Sequence, residues 1–123
     1  MLVYLCGPIN GCTDAECNDW RSYAKSRLPD TLDPMRRDYR GREAESVNEI
    51  VELDKIDVQE CDAVIANCPK PSVGTSMEVF FAWQLGKTIA VIAPEPVIPW
   101  LRYHSTKVFG TIKEAVDWLE MIE

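Results

Sequence analysis

Two runs constrain this chain more than any other feature. VIANC, within residues 62–68, and TIAVIA, residues 88–93, are apolar almost without interruption. A strand with one wet face alternates apolar and polar residues, because successive side chains point to opposite sides. A near-continuous apolar run bounded by turn residues describes a strand covered on both faces, as in a parallel sheet with helices on each side. Between the two runs lies TSMEVFFAWQLG, 75–86, which reads as a helix stopped at Gly86.

The remaining segments fit the same alternation. LVYLC (2–6) is a strand broken by GPING (7–11), and Thr13 or Asp14 can cap a helix over about 15–28. TLDP (31–34) is a weak strand, and MRRDYRGR (35–42) is a polar loop. A helix follows over about 44–60, and PKPSVG (69–74) is the next loop. PEPVIPW (94–100) is a proline-rich loop, with a short last strand expected near Lys107–Phe109 and an amphipathic helix in TIKEAVDWLEMIE. Strands alternating with helices predict an α/β fold with a mainly parallel sheet. Ligands of such sheets bind beyond the carboxyl ends of the strands, here in the loops GPING, DPMRRDYRG, PKPSVG and PEPVIPW.

Length and composition narrow the function. The 123 residues suit one domain, 1–123, with a real core. Asp and Glu number 20 against 13 Lys and Arg, a net charge of −7, which excludes general binding to a nucleic acid polymer. No apolar run approaches the roughly 20 residues of a membrane span. The N-terminus lacks the basic region of a signal peptide, so a cytoplasmic protein is expected. Five cysteines, with no CxxC pair, and the single His104 argue against a disulfide framework or a zinc site. No metal and no cofactor are expected.

A few residues stand out as chemistry. Glu78 is the only carboxylate between Asp62 and Glu95. With a helix starting at Thr75 it falls in the first turn, where free N–H groups favour its ionised form while burial opposes it. A carboxylate placed there suits covalent catalysis. The alternative is a capping box, TSME, with Thr75 as the cap. Asp54 falls in the middle of the stripe Val47, Ile50, Val51, Val58 and Cys61, so it is either used or paired with an arginine of the 36–42 loop. Asp57 lies at the edge of that stripe. GPING is no P-loop, and its backbone serves a turn or cradles a ribose or phosphate. Ser72 is a turn residue or an anion ligand. Arg36, Arg37, Arg40 and Arg42 hold a phosphate or form a solvated loop. Phe80, Phe81 and Trp83 face a second subunit in the oligomeric reading.

These pieces in this order resemble the nucleoside 2-deoxyribosyltransferase superfamily, which includes the nucleoside 5′-monophosphate N-glycosidases. The residues that carry the likeness are YLCGPING (4–11), LDPMRRDYRG (32–41), the Asp54 helix, CDAVIANC (61–68) and PSVGTSMEVFFAWQLGK (71–87). The resemblance implies a flavodoxin-like three-layer sandwich of about five strands, and a homodimer or larger oligomer with shared active sites. It implies Glu78 as nucleophile, Tyr4 as the residue that orients it, and Asp54 as a contact to the base or leaving group. The substrate site it implies covers Gly7, Pro8, Ile9, Asn10 and Gly11, then Asp33 and Arg37, then Ser72, Gly74 and Met77. Transferases of this kind commonly carry an aspartate six residues before the glutamate. The monophosphate hydrolases carry a serine there, as Ser72 does here. Their first loop often holds a serine and an arginine, where this chain has Pro8 and Asn10.

The expected activity is cleavage of the N-glycosidic bond of a nucleoside, or its 5′-monophosphate, through a glycosyl-Glu78 intermediate resolved by water or by a second base. The alternatives are an enzyme cleaving the nicotinamide bond of NAD, and a non-enzymatic flavodoxin-like nucleotide-binding module. A phospho-receiver would want an aspartate where the third strand ends at Asn67 and Cys68.

Overall fold

Alternation along each strand divides the core in two. β1 (Val3–Cys6) sends Val3 and Leu5 to one face and Tyr4 and Cys6 to the other. β3 (Ala63–Asn67) and β4 (Thr88–Ile92) divide in the same way, and both are buried on both faces, as their unbroken apolar runs require. The computed structural model describes all of residues 1–123. With β2 (Thr31–Leu32) and β5 (Lys107–Phe109), the strands form one five-stranded sheet in the order β2-β1-β3-β4-β5. Every pairing is parallel, with Val3 opposite Ala63 and Ala63 opposite Thr88. This is the flavodoxin-like order, whose switch point lies between β1 and β3.

One face of the sheet carries α1 (Asp14–Arg27) and α5 (Ile112–Ile122), which bury Trp20, Ala24, Ala115, Val116 and Leu119 against Val3, Leu5 and Ile65. The other carries α2 (Val47–Glu60), α3 (Val73–Gln84) and α4 (Pro99–Tyr103), whose Val58, Val79, Ala82 and Leu101 pack on Tyr4, Val64 and Val91. Thr13 caps α1 in a full capping box with Glu16.

Three expectations are corrected. α3 starts at Val73, not Thr75, because Ser72 is its N-cap: Ser72 is extended and its Oγ accepts the Thr75 N–H at 3.4 Å. Thr75 is buried and its Oγ1 accepts the Ser72 hydroxyl at 3.0 Å, so TSME is not a capping box. Glu78 therefore sits in the second turn, beyond the reach of the free terminal amides. On α2, Val47 and Val51 are exposed, and the acid sunk in the core is Asp57, 3% exposed. The stripe predicted from Val47 overhangs a cleft in its first half and meets the sheet only from Asp57 onward. Finally, PEPVIPW does not run as a loop to Trp100: Pro99 opens α4, where its fixed φ suits the first helical position.

Candidate active site

Glu78 projects from the sheet-facing side of α3, one turn beyond buried Thr75 and next to buried Val79. Beneath it stands Tyr4 of β1, 1% exposed, whose hydroxyl donates to Glu78 Oε2. The neighbouring β1 side chain on that face, Cys6, donates its thiol to the Thr75 carbonyl at 3.8 Å. Burial pushes the Glu78 carboxyl up to about 8; the charge of Asp54 adds to the rise, and the Tyr4 hydrogen bond opposes it. The Tyr4 hydroxyl is itself pushed far up by burial and by the adjacent carboxylate, so it stays a donor.

Glu78 opens onto a cleft of about 830 Å³. Its walls are α2 through Ile50, Val51 and Asp54, α3 through Ser72, Gly74 and Met77, and α4 through Trp100 and Leu101. The volume suits a small organic ligand, and its apolar lining with few polar groups is typical of such sites. Asp54 shares this cleft with Glu78. Burial raises the Asp54 carboxyl, while the hydrogen bond from Arg37 opposes that.

Three of the four arginines of the second loop are engaged by carboxylates. Arg36 Nη2 grips both oxygens of Asp57 at 2.8 and 2.9 Å, and Arg37 Nη2 bridges Asp57 Oδ2 at 2.7 Å to Asp54 Oδ1 at 3.3 Å. Arg40 is held by Asp14 and Asp38, and Arg42 lies over the Tyr39 ring and donates to the Asp38 carbonyl. The cluster is an ion-pair network, and the pairing of Asp54 with an arginine of this loop is present. Asp33 is occupied as well: its carboxylate accepts the Met35 N–H at 2.8 Å and Lys25 Nζ at 2.7 Å.

The structure thus brings together Glu78, Tyr4, Asp54, Ser72, Gly74 and Met77. Pro8, Ile9, Asn10 and Gly11 follow β1 at the same sheet edge but outside the walls of this cleft, as do Gly7, Asp33 and Arg37. Ser72 spends its hydroxyl on Thr75. Two participants were missed in the sequence. Asp57 anchors both arginines. Arg21, fully buried, donates to the Leu5, Gly7 and Cys17 carbonyls. The available signal was that Arg21 lies on the α1 stripe of Cys17, Trp20, Ala24 and Leu28.

Sheet order, cleft and tyrosine-held carboxylate together define an α/β protein that takes a small ligand beyond the carboxyl edge of a parallel sheet. The chain belongs to the nucleoside 2-deoxyribosyltransferase family, whose model matches residues 3–98. The chemistry of the family is at the N-glycosidic bond, and nucleoside or nucleotide substrates fit it. No curated protein matches the sequence. Among solved structures, the chain is similar to a 2-deoxyribosyltransferase of Bacillus psychrosaccharolyticus, at 15% identity and a TM-score of 0.76 over 95% of this chain and 91% of that one. It is also similar to the CMP N-glycosidase BcmB of Clostridium botulinum, at 20% identity and a TM-score of 0.62 over 98% and 99% of the two chains. A conserved protein of Enterococcus faecalis V583 matches at 12% identity and a TM-score of 0.74, over 99% and 98%. At these identities the likeness is one of fold. No helix is long and apolar enough to cross a membrane.

Proposed function

We propose that the chain cleaves the N-glycosidic bond of a 2′-deoxynucleoside or its 5′-monophosphate, with Glu78 as the nucleophile. The observation that carries this reading is the hydrogen bond from Tyr4 to Glu78 at the wall of a cleft that also holds Asp54. A Glu78 oxygen attacks the anomeric carbon as the bond to the base breaks, giving a glycosyl ester through an oxocarbenium-like transition state. Tyr4 fixes the attacking carboxylate in place. Asp54, whose affinity for protons is raised, supplies the proton that the departing base takes up. Water or a second base then attacks the same carbon, gives its proton to the Asp54 carboxylate and releases Glu78 as the carboxylate. Water gives a hydrolase and a base gives a transferase.

Ser72 and the first amides of α3 support a 5′-phosphate on the substrate. A serine at this position adds no negative charge to repel a phosphate, and the first amides of a helix favour anions. The arginine loop adds little to this, since Arg36, Arg37 and Arg40 are engaged by carboxylates. The homo-oligomer implied by the resemblance has a natural seat on α3, where Phe80 and Trp83 are exposed. Sedimentation tests it.

The decisive experiment is chromatographic. Common deoxynucleosides and their 5′-monophosphates are incubated with the protein, with and without a second free base, and Glu78→Ala is the control. Base release or exchange by wild type, abolished in Glu78→Ala, is expected. Full turnover in Glu78→Ala overturns the nucleophile, and nicotinamide release from NAD alone moves the reading to that substrate.

A further inference from the structure

Arg21 is the largest fully buried side chain of the protein. A buried guanidinium is costly unless its donors are used, and here they are aimed at one place. Nε donates to the Leu5 carbonyl at 3.1 Å, Nη2 to the Gly7 carbonyl at 3.1 Å and Nη1 to the Cys17 carbonyl at 2.7 Å. In a parallel strand the N–H and C=O of one residue point to the same side, and alternate residues share that side. Val3 N–H bonds the Asp30 carbonyl, so Val3, Leu5 and Gly7 all face β2. β2 ends at Leu32, paired with Tyr4, which leaves the Leu5 and Gly7 carbonyls beyond its end. Arg21 occupies the missing ladder, with Asp33 Oδ1, the first residue past β2, 3.7 Å from its Nε.

The loop it holds is tightly fitted. A Cβ on Gly7 would lie 2.9 Å from Trp20 Cζ2 and 3.1 Å from the Asn67 carbonyl oxygen, so no side chain fits there without a shift. The Arg21 guanidinium lies 4.5 Å over the Trp20 ring, which closes the same corner.

We propose that Arg21 is a positioning residue for the reaction: its guanidinium completes the sheet edge beyond β2 and fixes the 7–11 loop beside the Tyr4–Glu78 pair. The proposal rests on the reading of Glu78 as nucleophile. The titratable groups that face Arg21 are Asp33 from the segment after β2, Cys6 and Tyr4 from β1, and Cys17 from its own helix; burial keeps the tyrosine and both thiols neutral, so Asp33 is the charge among them. Those that face Glu78 are Asp54, Tyr4, Cys6 and Arg21, and among them only Arg21 is a cation, so its charge favours ionised Glu78.

The test compares wild type with Arg21→Met, which removes charge and donors, and Arg21→Lys, which keeps the charge but cannot span the carbonyls. Amide hydrogen exchange over residues 7–12 and the pH dependence of kcat/KM are measured. In both variants, exchange in the loop is expected to rise about tenfold or more above the change elsewhere, and KM to rise about tenfold. The acid limb of the rate profile moves slightly to higher pH in Arg21→Met only, since Arg21 ranks behind burial, Asp54, Tyr4 and Cys6 in setting the Glu78 carboxyl. Should Arg21→Met fail to fold, Arg21→Lys decides the loop and KM outcomes. Loop exchange and KM equal to wild type in a folded variant overturn the proposal, even while Glu78→Gln abolishes turnover. A wild-type chain that releases no base from any substrate sinks the Glu78 reading instead, and the exchange measurement alone then decides whether Arg21 holds the loop.

Discussion

The Tyr4 hydroxyl donates to Glu78 Oε2, joining β1 to α3 across 74 residues of sequence.

Its first consequence is a pH profile. In the proposed reaction Glu78 attacks only when ionised, and burial pushes its carboxyl up to about 8, so kcat/KM is expected to climb with pH toward that value. Tyr4→Phe removes a hydrogen bond that favours the ionised form. A bond to a charged group contributes about 1.5–3 kcal/mol, which moves the acid limb up by about one to two units and lowers kcat/KM at pH 7 by about 10- to 100-fold. Unchanged limbs in Tyr4→Phe would separate the tyrosine from the titration of Glu78.

Ser72 is both the cap of α3 and the proposed neighbour of a phosphate. Ser72→Asp preserves the first role, since aspartate caps as well as serine. It puts a carboxylate where a phosphate would sit. Turnover of 5′-monophosphates is expected to fall about tenfold or more while that of nucleosides stays within about threefold. Equal effects on both substrates would reduce Ser72 to a cap.

Asp57 anchors Arg36 and Arg37, and through Arg37 it touches Asp54. Asp57→Ala leaves two arginines without their shared partner. Arg36 is 42% exposed and Arg37 19%, so water takes up part of the loss. Destabilisation of about 2–3 kcal/mol is expected in urea titrations, against about 0.5 kcal/mol or less for the exposed Glu52→Ala on the same helix.

The sheet was legible because its strands report their burial directly. The runs around Ile65 and Val91 admit only a doubly covered strand, and even the short β5 was placed at Lys107–Phe109. Helix starts were harder. Ser72 and Thr75 both satisfy the local rules for a cap, and the choice falls to Thr75 being drawn into the core beside Cys6. The α2 stripe misled for a related reason: periodicity marks the face that avoids water, and it does not tell a core from a cleft, so Asp54 and Asp57 exchanged places. Arg21 showed only as a cation on the α1 stripe; its role was hidden because its partners are main-chain carbonyls, which any sequence supplies. Glu78 was found by its isolation, and Tyr4 only by resemblance, since nothing local ties residue 4 to residue 78.

Glu78 also leaves a mark on stability. Burial raises its carboxyl from the ordinary 4.5 to about 8, so the folded chain binds a proton that the unfolded chain has already lost between those values. The stability it contributes is present below about pH 4.5 and declines as pH rises through about 8. At about 1.4 kcal/mol per unit the decline is at most about 5 kcal/mol, and less to the extent that water entering the cleft relieves the charge. Glu78→Gln keeps an acceptor for Tyr4 and removes the charge. It is expected to match wild type within about 1 kcal/mol at pH 5 and to exceed it by about 2–3 kcal/mol at pH 9. Near 3–5 °C per kcal/mol, that is a Tm gain of about 6–15 °C at the higher pH. A thermal melt of both proteins at the two pH values checks it. A gap that does not widen with pH would mean that Glu78 is not held against its charge, and would remove one support for the proposed nucleophile.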